Sequence, residues 1–369
     1  MHGSLYRSLD DLPQSYNALL AAAGAENLYF GRPWFRNLIR TTLDAGDELL
    51  LFGVEDETGK ARALLIARRR PGGGIFGSRT VETFANFYTM IAGPVVWPEE
   101  TELEPVLGEL VRSVRACLPS ADIIRLPSMD PDSAGFAALK AALSSNGFMA
   151  VEEFGFVNWY EPCRDISYAA YIASLSGKMR NLIARRGRKL EREFTVRWTL
   201  TDGGEGFDEA MIAYRRIYDN SWKIPESYPD FIAGFMAACM EDGALRLGIL
   251  YVDDEPAAAQ IWTVTNGEAT IYKLAYDEKF RNLSVGSVLT AKIMEHVLDV
   301  DKARCIDFGY GDDPYKKDWT RQRRERMTLI GFRIAGPLGA LAAANFLARR
   351  FAASLRDRWR HSAGKEQQT

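Results

Sequence analysis

Apolar and polar positions follow two alternating periods along the first half of the chain, which predicts a mixed α/β protein. The apolar segment 48–70 predicts two strands around a turn, with Glu-Thr-Gly-Lys at its tip. A period of about 3.6 residues through Leu103, Leu107, Leu110 and Val114 predicts a helix. The same criteria predict strands at 87–98, 121–130 and 149–159, helices at 34–44 and 133–148, and a loop at 71–78.

The second half repeats this plan. It predicts a basic helix at 167–194, a strand at 194–200, helices at 205–222 and 228–242, a three-strand meander at 244–277, a helix at 286–299, and strands at 303–309 and 325–334. The repeated order indicates an internal duplication of one α/β unit. We therefore predict domains at 1–162 and 163–335, followed by a basic amphipathic tail at 336–369.

Composition restricts the functional classes. The 369 residues carry a net charge of −3, so any basic patch is local and the whole molecule is not a polyanion binder. Four scattered cysteines argue against a disulfide framework and fit a reducing compartment, and with three histidines they predict no metal site. No secretory signal or run of eighteen apolar residues occurs, so we expect a cytoplasmic protein.

The junction at 272–298 carries the strongest chemical signal. A strand runs into the loop Arg281–Ser287, and a helix begins at once. Small residues let backbone N–H groups approach an anion, and a helix N-terminus favours negative charge. Arg281 can add a charge-assisted bond. The predicted cofactor-binding residues are Leu274, Ala275, Tyr276, Arg281, Asn282, Ser284, Val285, Gly286, Ser287 and Lys316.

This loop resembles the pyrophosphate loop of the GNAT acyltransferase superfamily, whose pattern is Arg/Gln-x-x-Gly-x-Gly/Ala. Arg281 and Gly286 match the pattern, while Ser284 stands where the first glycine is usual. With KLAYDE before it and DFGYGDDPYKKDW after it, the segment resembles an envelope-biogenesis subgroup that includes CelD-type proteins, holdfast-polysaccharide acetyltransferases and bacterial ceramide synthases.

The first half resembles a degenerate GNAT domain, as in the double-GNAT FemABX aminoacyltransferases. At the corresponding place its GPVVWPEE (93–100) has two prolines and two acids, which do not suit a phosphate. The resemblance therefore implies tandem GNAT folds with mixed, mostly antiparallel sheets flanked by helices. It implies that the second half alone binds acyl-CoA.

The resemblance also implies that the segment Asp307–Trp319 faces the thioester and the incoming amine. Amine attack requires a base, donors for the oxyanion, and an acid or a free thiolate leaving group. Base candidates are Asp307, Asp312, Asp313 and Asp277; acid candidates are Tyr310, Tyr315 and Tyr272. Asp312 or Asp313 fits helix capping equally well, and Lys316 or Lys317 either holds a phosphate or is solvated.

Three other features carry alternatives. Glu226, in SWKIPESYPDF, is a candidate acceptor ligand or base. The basic helix 178–192 suits the adenosine phosphate of the coenzyme, a tRNA or anionic lipid, or is a solvated face. The tail through 336–362 is either an interfacial helix on an anionic membrane or a helix packed on the body or on a second subunit.

We therefore predict an acyl-CoA-dependent N-acyltransferase, without a metal, that acts on a primary amine of an envelope amino sugar or a sphingoid lipid. Its catalytic candidates are Asp307, Tyr310, Asp312, Tyr315 and Glu226. An amine-bearing glycan or lipid is its partner, nucleic acid is not, and the inner face of the cytoplasmic membrane is its predicted place of action. The alternatives are FemABX-like transfer from aminoacyl-tRNA and a non-catalytic accessory protein.

Overall fold

The computed structural model of the chain describes residues 1–70 and 78–366, with side chains described up to Arg356. The predicted loop at 71–78 therefore lies outside the described residues except for Ser78, and so do the side chains of Arg358 and Arg360 in the predicted tail. Among the described residues, no helix has the length and apolar character needed to cross a bilayer.

The first part of the chain alternates strands and helices. Its elements are β1 (His2–Tyr6), α1 (Gln14–Glu26), α2 (Arg32–Thr42), β2 (Glu48–Glu55), β3 (Ala61–Arg69), β4 (Thr80–Thr83), β5 (Val95–Val96), α3 (Leu103–Cys117), β6 (Ile123–Met129), α4 (Ala134–Ser145) and β7 (Met149–Pro162). Short 3-10 turns occupy Leu9–Asp11 and Leu28–Phe30.

The remaining elements follow the predicted order. They are α5 (Tyr168–Ser174), α6 (Gly177–Glu193), β8 (Val196–Thr201), α7 (Phe207–Asp219), α8 (Phe231–Glu241), β9 (Leu245–Val252), β10 (Glu255–Thr265), β11 (Glu268–Tyr276), α9 (Val285–Asp299), β12 (Cys305–Tyr310), α10 (Lys316–Trp319), β13 (Gln322–Phe332) and α11 (Pro337–Glu366). A mixed α/β fold with helices beside its sheets is therefore confirmed.

Two compact units are interleaved along the chain. Unit 1 contains Met1–Leu19, Asp44–Gly155 and Met327–Thr369, and unit 2 contains Leu20–Leu43 and Phe156–Arg326. The domain boundaries at Pro162 and Ala335 remain a prediction.

Each unit has the same order of strand pairing. In unit 1, β1, β2, β3 and β4 pair antiparallel, β4 pairs parallel with β6, and β6 pairs antiparallel with β13. In unit 2, β8, β9, β10 and β11 pair antiparallel, β11 pairs parallel with β12, and β12 pairs antiparallel with β7. The last strand of each sheet thus comes from the other half of the sequence.

The two units have separate apolar cores. In unit 1, Val106 and Leu110 of α3 pack with Leu50 of β2 and Leu139 of α4. In unit 2, apolar residues of α5, α6 and α9 pack in one cluster that contains the fully buried Trp262 of β10. Burial of these apolar surfaces provides the main stabilisation of each unit.

Two predicted elements were wrong. The strand at 87–98 is reduced to Val95–Val96, because Thr89 N donates to Asn86 O and turns the chain there, while Thr80–Thr83 forms the strand instead. The helix at 167–194 is two helices, because the Ser176 hydroxyl accepts from Met179 N and begins a new helix. Local capping thus interrupted a continuous helical period.

Candidate functional site

The predicted anion-binding loop has the expected strand, turn and helix in unit 2. β11 ends at Tyr276, a 3-10 turn covers Glu278–Leu283, and α9 begins at Val285. Ser284 adopts the left-handed conformation with φ of 58°. For a residue with a side chain this conformation costs roughly 1 kcal/mol, which explains why glycine is usual here. The first N–H groups of the 15-residue α9 lack intrahelical acceptors and face this turn.

Gly286 lies in open space at the first turn of α9. A methyl group added there would meet only the Tyr276 ring, at 3.5 Å. This is an ordinary van der Waals distance, so the small size of Gly286 is not required by packing of the described chain. The position instead leaves the surface of the first helical turn accessible to a ligand.

A buried polar network fixes this helical turn against β10. Gln260, 1% exposed, donates from Nε2 to Gly286 O at 3.0 Å and to Thr290 Oγ1 at 2.7 Å. Its Oε1 accepts from Trp262 Nε1 at 2.8 Å. The sequence analysis missed Gln260 and Thr290, because nothing in a single glutamine within an apolar strand indicates a partner 26 residues away.

Gln260→Leu is expected to lower the free energy of unfolding by about 1–3 kcal/mol, because Trp262 Nε1 would be buried without an acceptor. Urea denaturation measures this loss. Gln14→Leu makes the same change at an exposed position and is expected to have an effect within about 0.5 kcal/mol. Equal stability of both variants would contradict the bracing role of Gln260.

The parallel pairing of β11 with β12 is short. It joins Glu268–Thr270 to Cys305–Asp307 and does not continue to Tyr276. Within the described parts of the chain, the remaining residues of β11 pair with β10 on their other side, so alternate backbone N–H and C=O groups of Ile271–Tyr276 face the divergence. Leu274, Ala275 and Tyr276 therefore border this divergence.

Asp307 lies in a buried charged cluster. Its Oδ1 accepts from Asn158 Nδ2 at 2.7 Å and from Gly309 N at 2.6 Å, and its Oδ2 accepts from Arg324 Nη2 at 2.6 Å. Arg324 Nε also donates to Asn158 Oδ1 at 2.6 Å. Burial and the charge of Asp307 raise the pKa of Glu268, which lies 3.5 Å from Arg324. Asn158, Glu268 and Arg324 were not found from the sequence.

Lys316 braces the backbone turn that follows β12. Its ammonium, on a side chain 2% exposed, donates to Gly309 O, Tyr310 O and Gly311 O and lies 3.2 Å from Asp313. The three carbonyl oxygens equal in number the three N–H donors of the ammonium. Burial lowers the pKa of Lys316. The geometry thus favours a structural role for Lys316, while its predicted contact with the cofactor remains a prediction.

The other candidates of this segment differ in exposure and in their contacts. Asp312 is half exposed, and its Oδ1 accepts from Trp159 Nε1 at 2.8 Å. Tyr310, 49% exposed, packs its ring on Phe156 with centroids 4.3 Å apart. Burial raises the pKa of Tyr315, so its hydroxyl stays protonated at neutral pH.

Glu226 lies beside β11, which leads into the loop Arg281–Ser287. We call this loop the donor loop, because the sequence predicts that it binds the acyl donor. Its Oε1 accepts from Tyr218 Oη at 2.5 Å and pairs with Lys273 of β11. Nearby, the Trp222 ring lies 4.3 Å from the Tyr276 ring, centroid to centroid. Trp222 and Glu226 thus lie beside the C-terminal half of β11, and their role as an acceptor wall stays a prediction.

A cavity of about 340 Å³ adjoins Glu226 and is lined also by Tyr218, Lys223 and Arg215. Burial, together with the charge of Lys273, lowers the pKa of Lys223. The cavity combines these polar groups with apolar walls, as small-molecule sites commonly do.

The basic helix α6 approaches the donor loop. Arg186 Nη1 donates to Asn282 O at 3.4 Å, while Arg281 is exposed on the same loop. The cationic side chains of α6 are exposed, and Met179 and Leu190 are buried. The helix α6 therefore presents positive charge beside the backbone N–H groups of the first turn of α9.

Comparisons with known proteins identify a related domain family and a shared fold. The family of acetyltransferase (GNAT) domains matches residues 177–317. The structure is similar to that of FemX, with a TM-score of 0.58 and 12% identity over 88% of this chain and 96% of that chain. No curated protein sequence matches the chain.

Two further solved structures are also similar. One is the L-PGS structure from Bacillus licheniformis, with a TM-score of 0.53 and 11% identity over 92% of this chain and 96% of that chain. The other is the C-terminal domain of the putative synthetase of Agrobacterium fabrum, with a TM-score of 0.52 and 13% identity over 91% and 96%. At these identities the similarity establishes the fold, so the predicted GNAT fold class is confirmed. A GNAT domain suggests a transferase.

Proposed function

We propose that unit 2 binds an acyl-CoA at Arg281–Ser287 and transfers its acyl group directly to a primary amine. The observation that carries the proposal is the divergence of β11 from β12 beside the first turn of α9. The helix terminus supplies backbone donors for a pyrophosphate, and the open strand edge supplies them for the rest of the donor. Arg186 and Arg281 add positive charge at this loop.

In the proposed reaction the amine nitrogen attacks the thioester carbonyl carbon. The C–N bond forms, the C–S bond breaks, the amine loses a proton to a base, and the thiolate leaves with or without protonation. Outward-facing N–H groups of Ile271–Tyr276 are suited to stabilise the oxyanion. These steps need no metal.

Among the acids, Asp312 is best suited to be the base, because it is half exposed and oriented by Trp159, and the lysine that pairs with it, Lys317, is exposed and 3.9 Å away. Both oxygens of Asp307 are used by three donors, and Glu226 is paired with Lys273. Tyr310 and Tyr315 are the proposed acids; Tyr310 is accessible, whereas burial raises the pKa of Tyr315 and makes it the weaker proton donor.

The proposed acceptor is an amino sugar or a sphingoid-type lipid amine of the cell envelope. The cavity beside Glu226 supports it, since carboxylate, phenol and amine groups suit a polar amine-bearing molecule. An exposed apolar face on α11, with Leu347, Phe351 and Leu355 beside Arg349 and Arg356, supports action at the inner face of an anionic membrane.

Aminoacyl transfer is the second candidate function. The exposed cations of α6 suit the phosphates of a tRNA, and the chain shares its fold with FemX and with lysylphosphatidylglycerol synthases. The free first turn of α9 favours a CoA donor instead, because a pyrophosphate fits it.

Thermal melting of the full chain with CoA, acetyl-CoA or palmitoyl-CoA tests the donor. A ligand that binds the native state raises the melting temperature. At a concentration of one hundred times its Kd, it adds about 2.7 kcal/mol to the free energy of unfolding. We expect stabilisation by all three. Absence of any shift would contradict the proposal and favour an aminoacyl-tRNA donor, while binding without turnover of any amine would indicate an accessory protein.

A further inference from the structure

A cavity of about 800 Å³ lies in unit 1, which lacks the donor loop. Its apolar wall includes Ile123 and Ile330 of the sheet and Phe346 of α11. Phe332 continues this wall, and its ring centroid lies 5.6 Å from that of Phe346. The volume and the apolar wall suit a ligand of drug or lipid size.

Arginines also line the cavity. Arg68, Arg70, Arg125, Arg349 and Arg350 line it, and the described acidic side chains among the lining residues are three glutamates. Lining arginines thus exceed lining glutamates by two, although Arg70 also pairs with Asp44 and Asp47. A cavity lined by apolar and basic side chains is the complement of a molecule with a chain and an anionic head.

Arg68 shows that part of this charge is poorly compensated. Its side chain is 5% exposed, and its partners are distant: Asp47 Oδ2 at 3.5 Å, Ala85 O at 3.4 Å and Glu82 Oε2 at 3.7 Å. Its Nε and the Nδ2 of Asn345 are buried without a hydrogen-bond partner in the described structure. Both residues line the cavity. Buried donors without acceptors are costly, so a bound anion would relieve that cost.

The helix α11 contributes accessible arginines to this site. Arg350 Nη1 donates to Glu152 O at 3.2 Å, and Arg349 is exposed one residue earlier. The apolar residues Ala342 and Ala343 anchor the first turns of α11 against the sheet. The arginines are thus held at the cavity by a packed helix.

We propose that this cavity binds a single-chain amphiphile with an anionic head group, with the chain on the Phe332–Phe346 wall and the head at the arginines. The proposal goes beyond acyl transfer, since no residue of the donor loop lines the cavity. It also implies that palmitoyl-CoA, itself an anionic amphiphile, has a second place to bind.

Calorimetric titration of the full chain tests the proposal, with probes kept below their critical micelle concentrations. We expect palmitoyl lysophosphatidic acid to bind at least about tenfold more tightly than palmitoyl lysophosphatidylcholine, and glycerol 3-phosphate to bind weakly. Equal affinity for the two lipids would overturn the anionic site. Tight binding of glycerol 3-phosphate would overturn the role of the chain.

Charge reversal on α11 provides the matched variants. Arg349→Glu combined with Arg350→Glu is expected to weaken lysophosphatidic acid binding at least about tenfold, whereas Arg356→Glu, on the same helix but outside the cavity, is expected to leave it unchanged. All these positions are exposed, so the fold tolerates the changes. Equal losses in both variants would show nonspecific charge attraction and overturn the site.

Arg68→Met tests the buried part of the site. It is expected to weaken lysophosphatidic acid binding while leaving acetyl-CoA binding unchanged. Should Arg68→Met unfold, the exposed Arg349 and Arg350 variants decide the matter alone. Acetyl-CoA, which has no long chain, reports separately on the proposed donor loop, so the two proposals fail independently.

Discussion

Replacement of Gly286 by tryptophan is expected to abolish the binding of CoA, with a loss of at least about one hundredfold in affinity. The first carbon of any side chain at this position points into open space beside Tyr276. An indole there would cover the first turn of α9 and prevent a pyrophosphate from reaching its N–H groups. Calorimetric titration with CoA measures the loss.

Gly286→Ala is the matched control for this change. Its methyl group would lie 3.5 Å from the Tyr276 ring, an ordinary contact, so we expect it to keep CoA binding within about threefold of the native protein. Both variants should fold, because the described packing leaves room at this position. Native CoA affinity in the folded tryptophan variant would refute the assignment of the donor loop.

Asp307→Asn is expected to lower the free energy of unfolding by about 3 kcal/mol. The change preserves volume but removes the charge that Arg324 contacts at 2.6 Å, and it weakens the acceptor of Gly309 N. Since the Arg324 side chain is a quarter exposed, water compensates part of the loss. Urea denaturation followed by tryptophan fluorescence measures it.

Two controls separate the buried pair from a general charge effect. Asp318→Asn changes an exposed aspartate in α10 and is expected to cost less than about 0.5 kcal/mol. Asp307→Asn combined with Arg324→Met is expected to cost less than the sum of the two single changes, because the double variant leaves neither charge alone. Additive losses would show that the carboxylate and the guanidinium act independently.

The structure shows which groups surround two predicted site residues. The sequence offered Lys316 for a phosphate, and its ammonium is buried among backbone carbonyls of the same turn. The sequence offered Asp307 as a candidate base, and Asn158 and Arg324 enclose its carboxylate. The sequence thus indicated the segment in which these residues lie, but it did not indicate which groups they contact.

The sequence by itself determined the type and order of nearly all elements in the second half. The meander, the strand before the loop and the helix after it are local patterns of period two and period 3.6, and local patterns report on local structure. The loop was also visible, because small residues between a strand and a helix are a short-range signal. The helix boundary at the N-cap Ser176 was also a local signal, but the apolar period continues across it and predicted one helix.

Only the tertiary structure decided which chain segments meet. Asn158 and Asp307 are 149 residues apart, and Gln260 reaches Gly286 in the helix that follows the next strand. The last strand of each sheet comes from the other half of the sequence, since β13 pairs with β6 and β7 pairs with β12. Such pairings depend on shape and on the satisfaction of buried polar groups across the whole chain, and a pattern within one segment carries no record of either.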